Sequence, residues 1–175
     1  LSGLTFRSTG SGHSHLVTTI GSGTGPTIED CLFDGFSTSD TAHGLLVGSN
    51  TTVNHCTFQD ANRPIRLGID NGSSVTDSPA GTSVTKVEFV NSSNSAVEGQ
   101  STSNLAIDCS NINANQCNFN NNPAFAAFAK DKGDDDLLDL TNNYFGASDR
   151  TAVTGGDVDV SSPAGSPFSD AGPRT

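Results

Sequence analysis

The sequence predicts an all-β chain wound as a parallel solenoid, and three observations predict it. The first is a pattern that recurs six times: an apolar residue, two polar ones, a small or apolar residue, one variable position, then Phe. Its copies are Leu1–Phe6, Ile28–Phe33, Val53–Phe58, Val84–Phe89, Ala114–Phe119 and Leu140–Phe145, with Phe-to-Phe intervals of 27, 25, 31, 30 and 26 residues. Self-similarity at such a period marks stacked repeats. The second is composition: 19 Gly, 7 Pro, no Met and no Trp, with abundant Ser, Thr and Asn that compete with helices and favour turns. The third is spacing. Apolar runs are too short for packed helices and suit short strands. The fourth and sixth pattern positions share one strand face, whereas the first lies three before the fourth, so a corner separates them.

Taken in order, the first coil covers residues 1–27: the repeat strand, a corner carrying His13 and His15, the strand Leu16–Ile20 and a Gly-rich turn. His13 and His15 would share a face and suit a metal, but no carboxylate or Cys stands near them, and two solvated loop histidines explain them as well. The second coil, 28–52, has Leu45-Leu46-Val47 as its second strand. The third carries Ile65-Arg-Leu67-Gly-Ile69, an alternation of inward apolar and outward residues. Residues 70–83 read as a protruding excursion. The fourth coil carries Ala96-Val97 and Leu105–Cys109, the fifth Phe125–Phe128 and an acidic stretch. The coils thus occupy 1–145, and 146–175, dominated by Gly, Ser, Pro and Asp, reads as an irregular closing segment.

Cys31, Cys56 and Cys117 fall at one pattern position, which Leu4, Val87 and Asn143 fill elsewhere. A position that accepts Leu, Val and Cys is an interior slot where free Cys acts as a small hydrophobe. Cys31 and Cys56 would stand about 4.8 Å apart on neighbouring coils, within disulfide range, yet parallel side chains fit the torsion poorly. Reduced thiols are expected there; the state of Cys109 is open. An inward Asn143 must satisfy its amide, by stacking or by bonding corner backbone.

The form apolar-x-x-Asn/Cys-x-Phe with Asn-rich corners resembles the coil repeat of right-handed parallel β-helix proteins of the pectate-lyase-like type. Leu140-Thr-Asn-Asn-Tyr-Phe-Gly-Ala-Ser-Asp149 is similar to a coil found late in β-helix surface proteins of halophilic archaea. Val158-Asp-Val160 and Ser166-Pro-Phe168 are similar to the closing segment that follows it. The resemblance implies a right-handed parallel β-helix of about six coils, over roughly residues 1–170. That fold hosts lyases, hydrolases, adhesins and inert fibres alike.

A net charge of −11, from 16 Asp and 3 Glu against 3 Lys and 5 Arg, argues against nucleic acid, whose phosphates need cations, and against anionic membrane surfaces. An Asp-heavy, Lys-poor surface suits high salt, where screening removes self-repulsion; an acidic extracellular protein has the same balance. Neither a signal peptide nor an apolar run of membrane length is present. The chain opens inside a repeat and without Met, which reads as a processed protein or a fragment.

Chemistry would sit on outward positions that align into rows. The position three before Phe reads Gly3, Asp30, His55, Lys86, Gln116, Asn142. Asp30, His55 and Lys86 on adjacent coils are the candidate general acid/base set; a charge-compensated surface row accounts for them equally. Glycoside hydrolysis needs two carboxylates, and only Asp30 and Asp34 are close in sequence. Lyase chemistry in the family it resembles uses Asp ligands for Ca²⁺ and an Arg base; Arg63 and Arg66 are present, but no Asp row faces them. Asp131, Asp134, Asp135 and Asp136 are the candidate Ca²⁺ ligands, without EF-hand spacing, and a solvated acidic loop explains them too; no cofactor is otherwise expected. The sequons at Asn50, Asn71 and Asn91 lie in corners or loops where glycans attach.

These readings converge on an extracellular structural or adhesive module of a surface protein, appendage or fibre, on a cell or virion. Its partners would be other protein subunits, packed end to end or side by side, and surface glycans. The alternative is a polysaccharide-degrading lyase or hydrolase, or a tailspike-like glycan-binding protein. The strand Leu1–Phe6 would offer unpaired backbone groups to whatever lies beyond it, so the first coil is expected to be covered by protein.

Overall fold

The computed structural model describes residues 1–8, 15–19, 24–35, 43–70, 73–99, 109, 112–120, 127–129, 138–146, 154–156 and 158–174. Among these the chain is all-β, without a helix, and no helix there is long and apolar enough to cross a membrane. Leu105–Ile107, Phe125 and the acidic stretch 131–136 lie outside the described residues.

Three parallel sheets organise the structure. The first sheet holds the leading apolar residue of the second to fifth pattern copies, on β3 (Thr27–Glu29), β6 (Thr52–Asn54), β11 (Ser83–Thr85) and β14 (Asn113–Asn115). Its register aligns Ile28, Val53, Val84 and Ala114. The second sheet holds the Phe, on β1 (Thr5–Arg7), β4 (Leu32–Asp34), β7 (Thr57–Gln59), β12 (Glu88–Val90) and β15 (Asn118–Asn120). Single bridges, Ser2 to Glu29 and Asn118 to Tyr144, add the first and sixth copies as outer rungs. The third sheet comprises β2 (His15–Thr19), β5 (His43–Val47), β8 (Arg63–Leu67), β13 (Val97–Gly99), β16 (Ala127–Ala129) and β18 (Thr154–Gly156). Neighbours in a sheet come from successive copies, an arrangement compatible with a β-solenoid. Ile69–Asp70 (β9) and Val75–Asp77 (β10) form an antiparallel pair in the expected excursion. Segment 146–175 contributes β18 and Val158–Asp159 (β19), which pairs with Leu138–Asp139 (β17).

The core follows the pattern. Ile28, Val53, Val84 and Leu140 are buried, as are Leu45, Val47, Ile65, Leu67 and Val97 from the third sheet. The six pattern Phe rings form one continuous stack, Phe6-Phe33-Phe58-Phe89-Phe119-Phe145, with centroids 4.4–5.6 Å apart and planes within 9–16°. Parallel in-register strands place identical side chains at the inter-strand spacing, and offset stacking at that distance is favourable for aromatic faces. Each buried ring contributes roughly 1.5–3 kcal/mol by leaving water.

The corner between the first two sheets is made by one residue per rung in the left-handed region: Gly3, Asp30, His55, Lys86, Gln116 and Asn142, at φ 51–65°. Such a conformation costs a non-glycine residue about 1–2 kcal/mol and persists where surrounding bonds over-determine it. Those bonds run from rung to rung. The amides of Gly3, Asp30, His55 and Lys86 donate to Glu29, Asn54, Thr85 and Asn115 carbonyls respectively.

The cysteine slot follows from the same corner. Cys31, Cys56, Cys109 and Cys117 are buried free thiols. Cys31, Cys56 and Cys117 each donate from Sγ to the carbonyl two residues earlier, those of Glu29, Asn54 and Asn115, at 3.2–3.4 Å. The slot therefore rewards a small apolar group that carries a weak donor. Asn143 fills the slot in the sixth rung with a stronger donor. Its amide nitrogen donates to the Ala114 and Leu140 carbonyls, and its oxygen accepts from the Cys117 amide.

Candidate functional site

The corner row brings Asp30, His55 and Lys86 onto three successive rungs, as the spacing predicted. It does not pair them with each other: no hydrogen bond or ion pair joins the three. The side-chain partners of Asp30 and Lys86 come from residues 168–174, which run along the row against the direction in which the rungs succeed one another. Asn118 receives the segment with both ends of its amide: Nδ2 donates to the Phe168 carbonyl and Oδ1 accepts from the Phe168 amide, each at 2.8 Å. One rung back, Lys86 Nζ meets the Asp170 carboxylate at 2.8 Å, and the Lys86 carbonyl accepts from the Gly172 amide. Beside the strands that carry Thr57 and Glu88, Gly172 sits at φ +93°, where an added Cβ would meet Thr57 Oγ1 at 3.2 Å. At the second rung Asp30 accepts from the Arg174 amide, Nε and Nη2, and Arg174 also bonds Glu29. The segment is a strap over four rungs.

The electrostatics match this pairing. Hydrogen bonding from Arg174 is the main cause that brings the Asp30 carboxyl down from 3.8 to about 2. Lys86 likewise lowers Asp170. The buried His55 ring, on the middle rung, adds a smaller lowering effect to both carboxylates, and its Nδ1 has no hydrogen-bond partner. Asp34 does not join Asp30 as a second carboxylate. It leaves the corner at the end of β4 and is held by Gln59 and Arg7, which lower its pKa in that order. Other outward residues also pair across rungs, Asn91 with Asp60 and Asn120 with Glu88.

A second cluster escaped the sequence reading. On the third sheet, Glu98 of β13 lies 3.0 Å from His43 Nε2 of β5, across the intervening strand β8, and both side chains are buried. Arg63 Nε stands 3.8 Å from the other Glu98 oxygen, an ionic contact too long for a hydrogen bond. Arg66, the register partner of Glu98, is 2 % exposed; burial lowers its pKa and the charge of Glu98 opposes that. The expected alternation along Ile65–Leu67 is present, but its outward member is covered rather than solvated. The carboxylate facing the two arginines is a single Glu and not an Asp row. Nothing in Val97-Glu-Gly99 distinguishes Glu98 from a surface residue on a short strand; only the third sheet's register brings it to Arg66.

Among the other candidates, Asn50 and Asn91 are exposed and both adopt positive φ. The Asn91 amide nitrogen already donates to Asp60 at 3.0 Å. Asn71, His13 and the Ca²⁺ candidates Asp131, Asp134, Asp135 and Asp136 lie outside the described residues. Among the described residues no group of three or more His, Cys, Asp or Glu is placed to hold a metal ion.

Compared with protein-family models, curated proteins and solved structures, the chain gives no significant match to any of the three.

Proposed function

We propose that the chain winds as a right-handed parallel β-helix of about six coils and serves as an extracellular structural or adhesive module of a surface protein, appendage or fibre. The observation that carries this reading is the strap. The acid/base candidates of the corner row, Asp30 and Lys86, are bound by Arg174 and Asp170, so their charges hold the strap instead of facing a substrate. Rung-to-rung pairing of outward residues, a continuous aromatic stack and reduced interior thiols all serve rigidity. Other protein subunits are the proposed partners. Packing would be end to end or side by side, and surface glycans are a further partner. Asn50, Asn71 and Asn91 are the proposed glycan acceptors on a cell or virion surface.

The second reading, a polysaccharide lyase or hydrolase or a tailspike-like glycan binder, draws on Glu98, His43 and Arg63, a carboxylate with an imidazole and a guanidinium beside it. Burial of the Glu98 and His43 side chains ranks it second, since a glycan must reach them. Assay against a panel of acidic polysaccharides decides between the two: no turnover, with ordered particles or filaments by electron microscopy in molar salt, supports the structural role. Reproducible release of oligosaccharides overturns it.

A further inference from the structure

The strap is read by its row in a fixed register. Asn118, itself 4 % exposed, pairs with the Phe168 backbone as a neighbouring strand would, so this contact is blind to side-chain identity. The following contacts are not. Lys86 selects an acidic residue two positions on, the turn at φ +93° beside Thr57 and Glu88 favours glycine at the fourth, and Asp30 with Glu29 selects Arg at the sixth. A polar backbone anchor followed by acid, glycine and arginine sites is the layout of a peptide-recognition surface, where main-chain bonds give affinity and side-chain sites give specificity.

We propose that this row, Asn118, Lys86, Thr57/Glu88 and Asp30/Glu29, is a peptide-binding surface that also accepts the 168–174 segment of a second copy of the chain, linking two chains side by side by strap exchange. Three observations favour that occupant. The strap and its row are complementary in charge and order, so a second copy carries a matched ligand by construction. Residues 165–167 (Gly-Ser-Pro), which join the strap to the sixth rung, are exposed and make no hydrogen bond; they are the natural hinge. The attachment is peripheral, through groups on the surface of the rungs, and leaves the Phe stack untouched when it opens. An exchanged pair repeats every bond of two closed chains, so concentration and hinge strain alone set the balance. Closure within one chain wins at low concentration, because a short linker gives a high effective concentration. The inference does not depend on whether the chain is structural or enzymatic.

Two full-length variants remove the competition from self-closure. One carries Asp170→Lys with Arg174→Glu, reversing the strap; the other carries Asp30→Arg with Lys86→Glu, reversing the row. Each alone faces like charge in its own chain, whereas each strap matches the row of the other. The expected result by native mass spectrometry and light scattering is monomer for either variant and a one-to-one heterodimer on mixing, weakened by added salt. All four substitutions in a single chain should restore the monomer. A mixture that stays monomeric overturns the proposal. Should row reversal impair folding, titration of the strap-reversed chain with a labelled peptide Ser-Pro-Phe-Ser-Asp-Ala-Gly-Pro-Arg-Thr decides it. Saturable binding, at least about tenfold weaker for the peptide with Ala at the position of Gly172, supports the proposal; absence of binding overturns it.

Discussion

Arg174 and Asp30, 144 positions apart in the sequence, share three hydrogen bonds of 2.8–3.0 Å through the backbone amide, Nε and Nη2 of the arginine. This contact fixes the far end of the strap and makes its closure depend on pH. The folded carboxyl of Asp30 titrates at about 2 against 3.8 unpaired. Its contribution is therefore complete above the unpaired value and is lost as pH falls from about 3.8 towards 2. Asp170, lowered by Lys86, acts in the same direction. Amide exchange at Phe168, Gly172 and Arg174 should accelerate through this window, relative to the intrinsic rate, while amides of β7 and β12 stay protected. Equal acceleration of both sets would mean that the strap does not open on its own.

Truncating the centre of the aromatic stack should be expensive. Phe89 lies between Phe58 at 5.6 Å and Phe119 at 4.8 Å and is fully buried. Phe89→Ala is expected to cost on the order of 3–5 kcal/mol through lost transfer energy and the cavity, read from denaturant melts.

The interior thiols should be silent in the folded chain. Burial pushes the thiols of Cys56 and Cys117 up to about 12, and the thiolate is the reactive form. A thiol reagent at neutral pH should label Cys31, Cys56 and Cys117 only after unfolding. A Cys31–Cys56 cross-link in mass spectra of the native protein would contradict this.

The left-handed corners make a sign-specific prediction. Gln116 holds φ 55°, and its amide donates to the Asn142 carbonyl rather than to the strap. Gln116→Val should destabilise by about 1–3 kcal/mol, whereas Gln116→Gly should be neutral or stabilising. Equal losses from the two would point to side-chain contacts of Gln116 in place of backbone strain.

Much of this was legible in the sequence. The pattern period places the Phe stack, the thiol slot and the corner, because each obeys short spacing rules. The conformation of the corner was largely hidden: Gly3 alone announces positive φ, Asp, His, Lys and Gln occupy the same position in the next four copies, and the rung-to-rung amide bonds that compensate lie about thirty residues away. The strap was hidden for another reason. Phe168–Arg174 has no periodicity of its own, and its partners are spread over four copies of the pattern, so only the folded register brings them together. The same holds for Glu98 and His43, which are separated by 55 residues.

Glu98 supplies the last prediction. Its carboxylate contacts His43 and Arg63, and in the sheet register it faces buried Arg66. Glu98→Ala removes the counter-charge that faces buried Arg66 and is expected to cost about 3–5 kcal/mol, measured by denaturant melts against Val97→Ala as a packing control.

Repetition lets a chain of this kind grow by duplicating a copy of its pattern, since each rung offers the next the same edge. The strap makes one stretch an exception, because it measures distance. From Phe168 at Asn118 to Arg174 at Asp30 it crosses three inter-rung steps, about 14 Å, with six residue steps that extend to about 20 Å. One inserted rung would raise the span to about 19 Å and pull the chain nearly straight, removing the turn at Gly172 that fits the surface beneath it. The strap thus works as a ruler for the stretch from Asp30 to Asn118, where the count of copies is held constant, while rungs outside its anchors stay open to duplication or loss.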